Sequence, residues 1–206
     1  QFNSGEVAYL LQSGQTADEN GTIPEVWGQE IGTENYPVLG GAKVYATTGC
    51  VTYNNSGTSA KNHNKENGIC KDCGAYDEAT DSDGDGYYEI GNAGKLYWFA
   101  QQINSGNNNN INAMLTADIT VNKGENTGDV ANCNGTKADG WIDWVPIGGN
   151  ATGYKYTGIF DGKNHTVSGL YFNDTSTSNI GLFGNNTGTI KNVGVVDSYF
   201  NGEINV

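Results

Sequence analysis

An internal repeat near the end of the chain restricts its fold more than any other sequence feature. The tripeptide Gly158-Ile159-Phe160 matches Gly181-Leu182-Phe183, and apolar residues recur after both copies at the same offset. A period in the low twenties with β-branched and aromatic residues in register is typical of a β-solenoid, in which each repeat is one coil. We expect the following residues to stack as interior ladders: Val167 on Ile190, Leu170 on Val193 and Phe172 on Val195.

The composition favours an all-β protein. Charged residues make up only 16% of the 206 residues, and the polarity comes instead from 31 Gly together with Asn, Thr and Ser. A helical bundle would expose Glu and Lys on its helices, so this composition argues against that class. The 12 Tyr, 6 Phe and 4 Trp supply enough apolar volume for a core, which argues against wholesale disorder. We therefore expect a turn-rich, extracellular, all-β protein of one or two domains.

The chain is strongly acidic, because 10 Lys+Arg face 23 Asp+Glu and the formal net charge is −13. Every basic side chain is a lysine. Nucleic-acid binding needs a positive patch of Lys and Arg, so we expect no nucleic-acid partner. No apolar run approaches the ~18–20 residues of a membrane span, so we expect no membrane insertion within this segment. The sequence starts at Gln1 without a leader pattern, and we expect it to be a piece of a longer chain.

Three segments are predicted along the chain. Residues 1–48 are expected to form a small mixed module, and residues 49–80 a polar connector rich in Cys and His. Residues 81–206 are expected to form the capped start of the solenoid. Within them, apolar residues recur with helical spacing at Leu96, Phe99, Ala100 and Ile103. This spacing predicts an amphipathic helix over 92–104, with Asn92 as its N-cap, that covers the end of the solenoid.

The cysteines and the histidine of the connector have the spacing of a metal site. Cys70 and Cys73 would give two thiolates to one tetrahedral zinc ion, and Cys50 and His63 would complete a Cys₃His set. Such a closed set leaves no position for water, so the zinc would be structural and would hold a loop with little apolar material. The alternative is one disulfide with free thiols, which an extracellular setting favours.

The segment 81–92, with the sequence DSDGDGYYEIGN, follows the pattern of a calcium-binding loop. The candidate ligands are Asp81, Asp83, Asp85, the backbone carbonyl of Tyr87, and Asn92. The pattern departs from an EF-hand at the twelfth position, where Asn92 replaces a bidentate Glu, and Glu89 is a candidate substitute. Three carboxylates within five residues repel one another unless a cation or solvent intervenes. The alternative is a solvated Asp/Gly turn.

The strings WVPIG, YTGIFDGKNHTVSGLYF and IGLFGNNTGTIKNVGVVDSY resemble the GLUG-motif region of bacterial cell-surface proteins. The segment EIGNAGKLYWFAQQIN and the strand MLTADITV resemble the elements that usually introduce it, and the upstream residues resemble modules of surface proteins from gut Gram-positive bacteria. The resemblance implies a right-handed parallel β-helix within a larger extracellular protein, at the cell surface or secreted. This setting indicates a non-catalytic, adhesin-type segment whose β-helical face contacts a glycan or a host ligand.

A polysaccharide lyase or a glycoside hydrolase of the β-helix class is the alternative function. Lyases of this class resemble one another in using arginine as the base, and this chain has no arginine. A hydrolase needs two or three carboxyl groups gathered on one face. The candidates stand in turns or loops without a recognisable pair: Asp143, Asp161, Asp174 and Asp197.

Five aromatic side chains are the best candidates for stacking on a sugar ring if they are exposed: Trp98, Trp141, Trp144, Tyr154 and Tyr156. Large aromatic side chains are usually mostly buried, however. In the alternative interpretation, Trp98 packs the helix on the solenoid and Trp144 fills the core.

Overall fold

The structure, a computed structural model, describes residues 2–46, 53–55, 65–71, 73–106, 108–126, 128–149 and 154–203. The chain divides into two compact units. The first comprises Gln1–Lys65 and Cys70–Ala75, and the second comprises Glu66–Ile69 and Tyr76–Val206. The three-part division predicted from the sequence stays a prediction.

The described residues of the first unit form one short helix and short antiparallel strands. Its elements are a 3₁₀ turn at Phe2–Ser4, α1 (Glu6–Ser13), β1 (Trp27–Gly28), β2 (Val38–Leu39), β3 (Tyr45–Ala46) and β4 (Tyr53–Asn54). β1 pairs with β2, and β3 pairs with β4. The Gln12 side-chain oxygen accepts hydrogen bonds from the backbone of Val26 (2.8 Å) and Trp27 (2.9 Å), which ties α1 to β1. Two further short strands, β5 (Lys65–Glu66) and β6 (Ile69–Cys70), form a two-stranded sheet.

The second unit is organised around a parallel sheet. Its elements are β7 (Tyr87–Ile90), α2 (Ala93–Asn104), β8 (Asn112–Leu115), β9 (Ile119–Thr120), β10 (Ile159–Ser168), β11 (Tyr171–Asn173), β12 (Thr189–Val196) and β13 (Tyr199–Asn201). Four strands lie in the order β12-β10-β8-β7, and β9 pairs with β10 as the fifth strand. Every pair in this sheet is parallel. A separate two-stranded parallel sheet joins β11 and β13.

Helix α2 confirms the helix predicted from the apolar spacing. Its N-cap is Asn92, whose side-chain oxygen accepts a hydrogen bond from the backbone N–H of Lys95 at 2.8 Å. This bond satisfies one of the N–H groups that a helix leaves unpaired in its first turn, so the helix begins there. Ser105 is the C-cap. No helix among the described residues has the length and apolar content needed to cross a membrane.

The buried face of α2 lies in the core of the second unit. The buried residues of the helix are Ala93, Gly94, Leu96, Tyr97, Phe99, Ala100 and Ile103. The Phe99 ring lies 5.7 Å from the ring of Tyr156 and 5.8 Å from that of Phe160 in β10. Trp144 is 1% exposed and meets the Tyr97 ring edge-on at 5.2 Å, which confirms that it fills the core. Aromatic packing between one helix and one sheet therefore forms the centre of this unit.

The predicted fold class, an all-β right-handed parallel β-helix, is wrong. The described residues form a mixed α/β fold, in which α2 shares one core with a five-stranded parallel sheet. Most strands are short, and no solenoid is evident in this part of the chain. The prediction was wrong because it placed the apolar face of α2 over the end of a stack of coils. In the structure, this face is buried in one core together with the strands of the sheet.

The strand register also differs from the predicted ladders. The two matching tripeptides have different secondary structure. The first lies at the start of β10, whereas Phe183 in the second makes only an isolated bridge to Ile147. The strand that pairs with β10 starts later, at Thr189. A shift in the pairing between Asp161 and His165 changes the register again. The observed partners are Val195 for Val167, His165 for Val193 and Phe200 for Phe172.

We predict that Phe99→Ala lowers the free energy of unfolding of the second unit by about 3–5 kcal/mol, because it removes a buried ring and leaves a cavity beside Tyr156 and Phe160. Val145→Ala is the control, since Val145 is 53% exposed and should change the free energy by less than about 0.5 kcal/mol. Urea unfolding of both variants measures the difference. Equal losses in the two variants would contradict this position of α2.

Candidate metal site

Three carboxylates come together in the segment that leads into β7. One carboxylate oxygen from each of Asp81, Asp83 and Asp85 lies within 4.8 Å of the other two. Two oxygens bound to the same calcium ion are at most about 5 Å apart, because each lies roughly 2.4 Å from the ion. The spacing of the three groups is therefore compatible with one shared divalent cation.

Backbone hydrogen bonds fix the conformation of this loop. Asp81 accepts from the backbone N–H of Gly84 at 2.8 Å and from that of Gly86 at 2.9 Å. Asp85 accepts from the N–H of Tyr87 at 2.8 Å. Gly84 (φ 79°) and Gly86 (φ 87°) both occupy the left-handed region, which glycine enters without strain. The alternation of Asp and Gly in the sequence thus turns the chain tightly enough for the carboxylates to converge.

Charge repulsion opposes this arrangement. Three carboxylates separated by less than 5 Å repel one another, and each retains oxygen lone pairs beyond those used by the backbone. Asp83 and Asp85 are exposed and Asp81 is half-buried, so a cation could reach the group from solvent. A hard divalent cation with oxygen ligands would remove the repulsion.

Glu89 closes the loop across its base. The Ser82 hydroxyl donates to both carboxylate oxygens of Glu89, at 2.6 and 2.7 Å, and Glu89 donates its backbone N–H to the carbonyl of Thr80 at 2.9 Å. Glu89 was expected only as a substitute ligand, and the part that Ser82 plays was not predicted. The signal in the sequence is a serine inside the turn together with an acid in the strand that follows.

The calcium pattern predicts Asn92 as a metal ligand, whereas in the structure its side chain caps a helix. Its oxygen caps α2, and its amide nitrogen donates to Asp77 at 3.0 Å. The intervening β7 separates Asn92 in sequence from the three aspartates, because the loop continues into a strand and not directly into a helix. The backbone carbonyl of Tyr87 stays a predicted ligand.

Two of the four residues of the predicted zinc set lie outside the described residues. Cys50 and His63 are not among them. Cys70 is buried and Cys73 is exposed. Cys70 donates its N–H to the carbonyl of Ala75 and accepts at its own carbonyl from the N–H of Gly74. Both the Cys₃His zinc site and the alternative disulfide stay predictions.

The four acids considered for catalysis have separate partners. Asp143 accepts from the Lys137 ammonium at 2.7 Å, and Asp197 accepts from the backbone N–H of Ala131 at 3.0 Å. Asp174 accepts from the hydroxyls of Ser176 and Thr177 and from the N–H of Ser176. The fourth, Asp161, is the most buried. Each of the four acids is therefore engaged by its own neighbours.

Asp161 lies at the centre of a polar cluster between β10 and β12. It accepts from the backbone N–H of Lys163 and from the Asn192 amide, both at 3.0 Å. The Lys191 and Lys163 ammonium groups lie 3.4 and 3.6 Å from its other oxygen. These interactions, the Lys163 backbone bond first, lower the pKa of Asp161 to about 2. A carboxyl that stays ionised at neutral pH serves as a structural charge and is a poor proton donor.

Two exposed carboxyls are shifted in the same direction. The pKa of Asp118 is lowered by the backbone N–H of Thr166 and then by a hydrogen bond with His165. The pKa of Asp174 is lowered by the hydroxyl and the backbone N–H of Ser176. In each case a nearby donor favours the ionised form, whereas a general acid needs its pKa raised.

The candidate aromatic residues differ in exposure. Trp144 and Tyr156 are buried and cannot meet a ligand at the surface. Trp98 is half-buried with its ring 5.6 Å from that of Tyr88. Tyr154 is 40% exposed, and Trp141 is half-buried beside an open cavity. Of the five, Tyr154, Trp141 and Trp98 therefore retain surface that a ligand could use.

Acid should weaken the fold through Asp161. Its pKa is lower in the folded protein than in the unfolded chain, so its stabilising contribution is present above about pH 4 and is lost as the pH falls toward 2. We predict that wild-type protein loses stability over this interval and that Asp161→Asn, already less stable at neutral pH, loses less. Urea unfolding at a series of pH values measures both, with Asp143→Asn as the exposed control. Parallel pH profiles for wild type and Asp161→Asn would contradict this role.

The chain matches no family model, and no curated protein or solved structure matches it. Its function must therefore be inferred from the contacts of its own residues.

Proposed function

We propose that this chain is a non-catalytic, ligand-binding segment of an extracellular surface protein, in which calcium orders the loop at residues 81–86. The ligand is a glycan or another group on a host or neighbouring surface. The observation that carries the non-catalytic assignment is the separate engagement of Asp143, Asp161, Asp174 and Asp197.

Hydrolysis of a glycosidic bond requires two carboxyl groups about 5–10 Å apart on either side of the bond, and one of them must hold a proton. The most buried candidate, Asp161, has a pKa of about 2 and contacts two lysines. The pKa of Asp174 is lowered as well. These acids favour the ionised form, which supports a structural use for them over proton transfer.

The calcium assignment rests on the convergence of Asp81, Asp83 and Asp85 and on the repulsion that a cation would relieve. Calcium takes six to eight oxygen ligands, so three carboxylates would be completed by backbone carbonyls and water. A site of this openness matches extracellular modules, whose dissociation constants lie around 10⁻⁴–10⁻³ M. Extracellular calcium is abundant enough to fill such a site.

The proposal predicts binding without turnover. Purified protein incubated with insoluble cellulose, chitin, mannan and mucin should be retained on at least one of them. Soluble reducing ends and unsaturated products should stay at the level of a blank without protein. Release of either product, in an amount that grows with protein concentration, would instead establish the lyase or hydrolase alternative. Retention on none of these surfaces would count against a glycan ligand.

Calcium should bind with a dissociation constant of about 0.1–1 mM by calorimetry. Asp83→Asn should raise this constant about tenfold, because it removes one of three charged ligands. Glu78→Gln makes the same charge change at an exposed site outside the loop and is the control. Asn92→Ala should leave calcium affinity unchanged and lower the free energy of unfolding by about 1 kcal/mol through loss of the cap. Equal calcium affinity in wild type and Asp83→Asn would contradict the site.

A further inference from the structure

A long connection separates β9 from β10. Its described residues, 121–126, 128–149 and 154–158, contain no helix or strand, only isolated bridges such as that from Ile147 to Phe183. Binding residues are disproportionately found on loops that a rigid scaffold positions.

Hydrogen bonds order this segment against the sheet. Asn122 is 4% exposed, and its side chain accepts from the N–H of Ile142 and donates to the carbonyls of Ile142 and Gly169. The Tyr171 hydroxyl donates to the carbonyl of Gly135 at 2.7 Å. The start of the segment is therefore anchored to Gly169, between β10 and β11, and its middle is anchored to β11. Such bonds reduce the cost of ordering the segment when a ligand binds.

Residues of this segment line an open surface cavity with a volume of about 670 Å³. This volume is within the range of small-molecule sites, roughly 300–1,000 Å³. The residues that line it and bear on its chemistry are Lys123, Glu125, Asp129, Thr136, Asp139 and Trp141.

The Trp141 indole is held in place at its edge. Its ring N–H donates to the carbonyl of Lys123 at 3.2 Å, and its ring centre lies 5.8 Å from that of Tyr171, with the planes tilted by 55°. Trp141 is one of the residues that line the cavity. A fixed aromatic surface of this kind binds the C–H face of a pyranose with little loss of side-chain freedom.

The polar residues of the cavity suit hydroxyl groups. Glu125 and Asp139 are exposed carboxylates, which accept hydrogen bonds from sugar hydroxyls, and Thr136 both donates and accepts. Three carboxylates and one lysine give the cavity a negative charge. This charge repels uronic acids and sulfated or sialylated sugars, and it accepts neutral or amino sugars.

We propose that the cavity beside Trp141 is a saccharide-binding site for neutral hexopyranosides. This site deepens the proposed function, on which it rests, by assigning the ligand class and the residues that contact it. Trp141 supplies the stacking surface, and Glu125 and Asp139 orient the sugar through its hydroxyls.

The test titrates the full chain with cellobiose, lactose, maltose and N,N′-diacetylchitobiose, and with digalacturonate as the acidic counterpart, by calorimetry and saturation-transfer NMR. At least one neutral disaccharide should bind with a dissociation constant on the order of 1 mM, and digalacturonate should bind more weakly. Trp141→Ala should weaken binding at least about tenfold. Tyr36→Ala removes an aromatic side chain that is 66% exposed and does not line the cavity, and it should bind like wild type.

A second variant covers the case in which Trp141→Ala does not fold, as judged by its circular dichroism. The double variant Glu125→Gln, Asp139→Gln changes only exposed side chains and should weaken binding about threefold or more. Unchanged affinity in the folded variants would overturn the site, and so would preferential binding of digalacturonate.

The failure of this site and that of the proposed function are distinguishable. Retention on a polysaccharide that Trp141→Ala does not reduce would overturn the site and leave the non-catalytic binding function in place. Release of cleavage products would overturn the proposed function whether or not Trp141 contributes to binding. Retention that Trp141→Ala abolishes, without products, would support both.

Discussion

The packing of the α2 apolar face into a parallel sheet is the interaction on which the second unit depends. Parallel sheets need apolar cover, and α2 supplies it through Phe99, which contacts Phe160 in β10 and Tyr156 just before it. The ring of Phe160 also meets that of Phe183 at 5.1 Å, which brings a distant irregular segment into the same core. One aromatic cluster thus holds together a helix, a central strand and two loops.

Both candidate sites lie in irregular segments attached to this sheet. The acidic loop leads into β7, and the segment that forms the cavity begins where β9 ends. A site in a loop needs the loop to be held, and here buried or partly buried polar side chains hold it. Asn122 satisfies its amide with three backbone bonds, so its burial is offset while it fixes the start of the cavity segment.

Sequence patterns within one short segment predicted the helix α2 correctly. They did not predict which strands pair over long distances in the chain. The helix at α2 could be predicted because its spacing and its Asn92 cap lie within one short segment. The convergence of Asp81, Asp83 and Asp85 was equally local. The strand register depends instead on the length of the connection between β10 and β12. The repeated tripeptide does not show that Phe183 lies outside a strand and makes only an isolated bridge. The cavity escaped prediction because polar loops have no periodicity, and among its residues only Trp141 has a sequence signal.

The distribution of charge links the two proposed sites. The net charge is −13, because ten lysines face 23 Asp and Glu residues. The fold places two lysines beside Asp161, where a buried carboxylate would otherwise be destabilising. The acids at Asp83 and Asp139 stay exposed. A surface of this kind attracts cations and repels acidic polymers, while hydroxyl groups still find acceptors on it. Calcium and a neutral saccharide are therefore the two ligand classes that the same charge distribution favours.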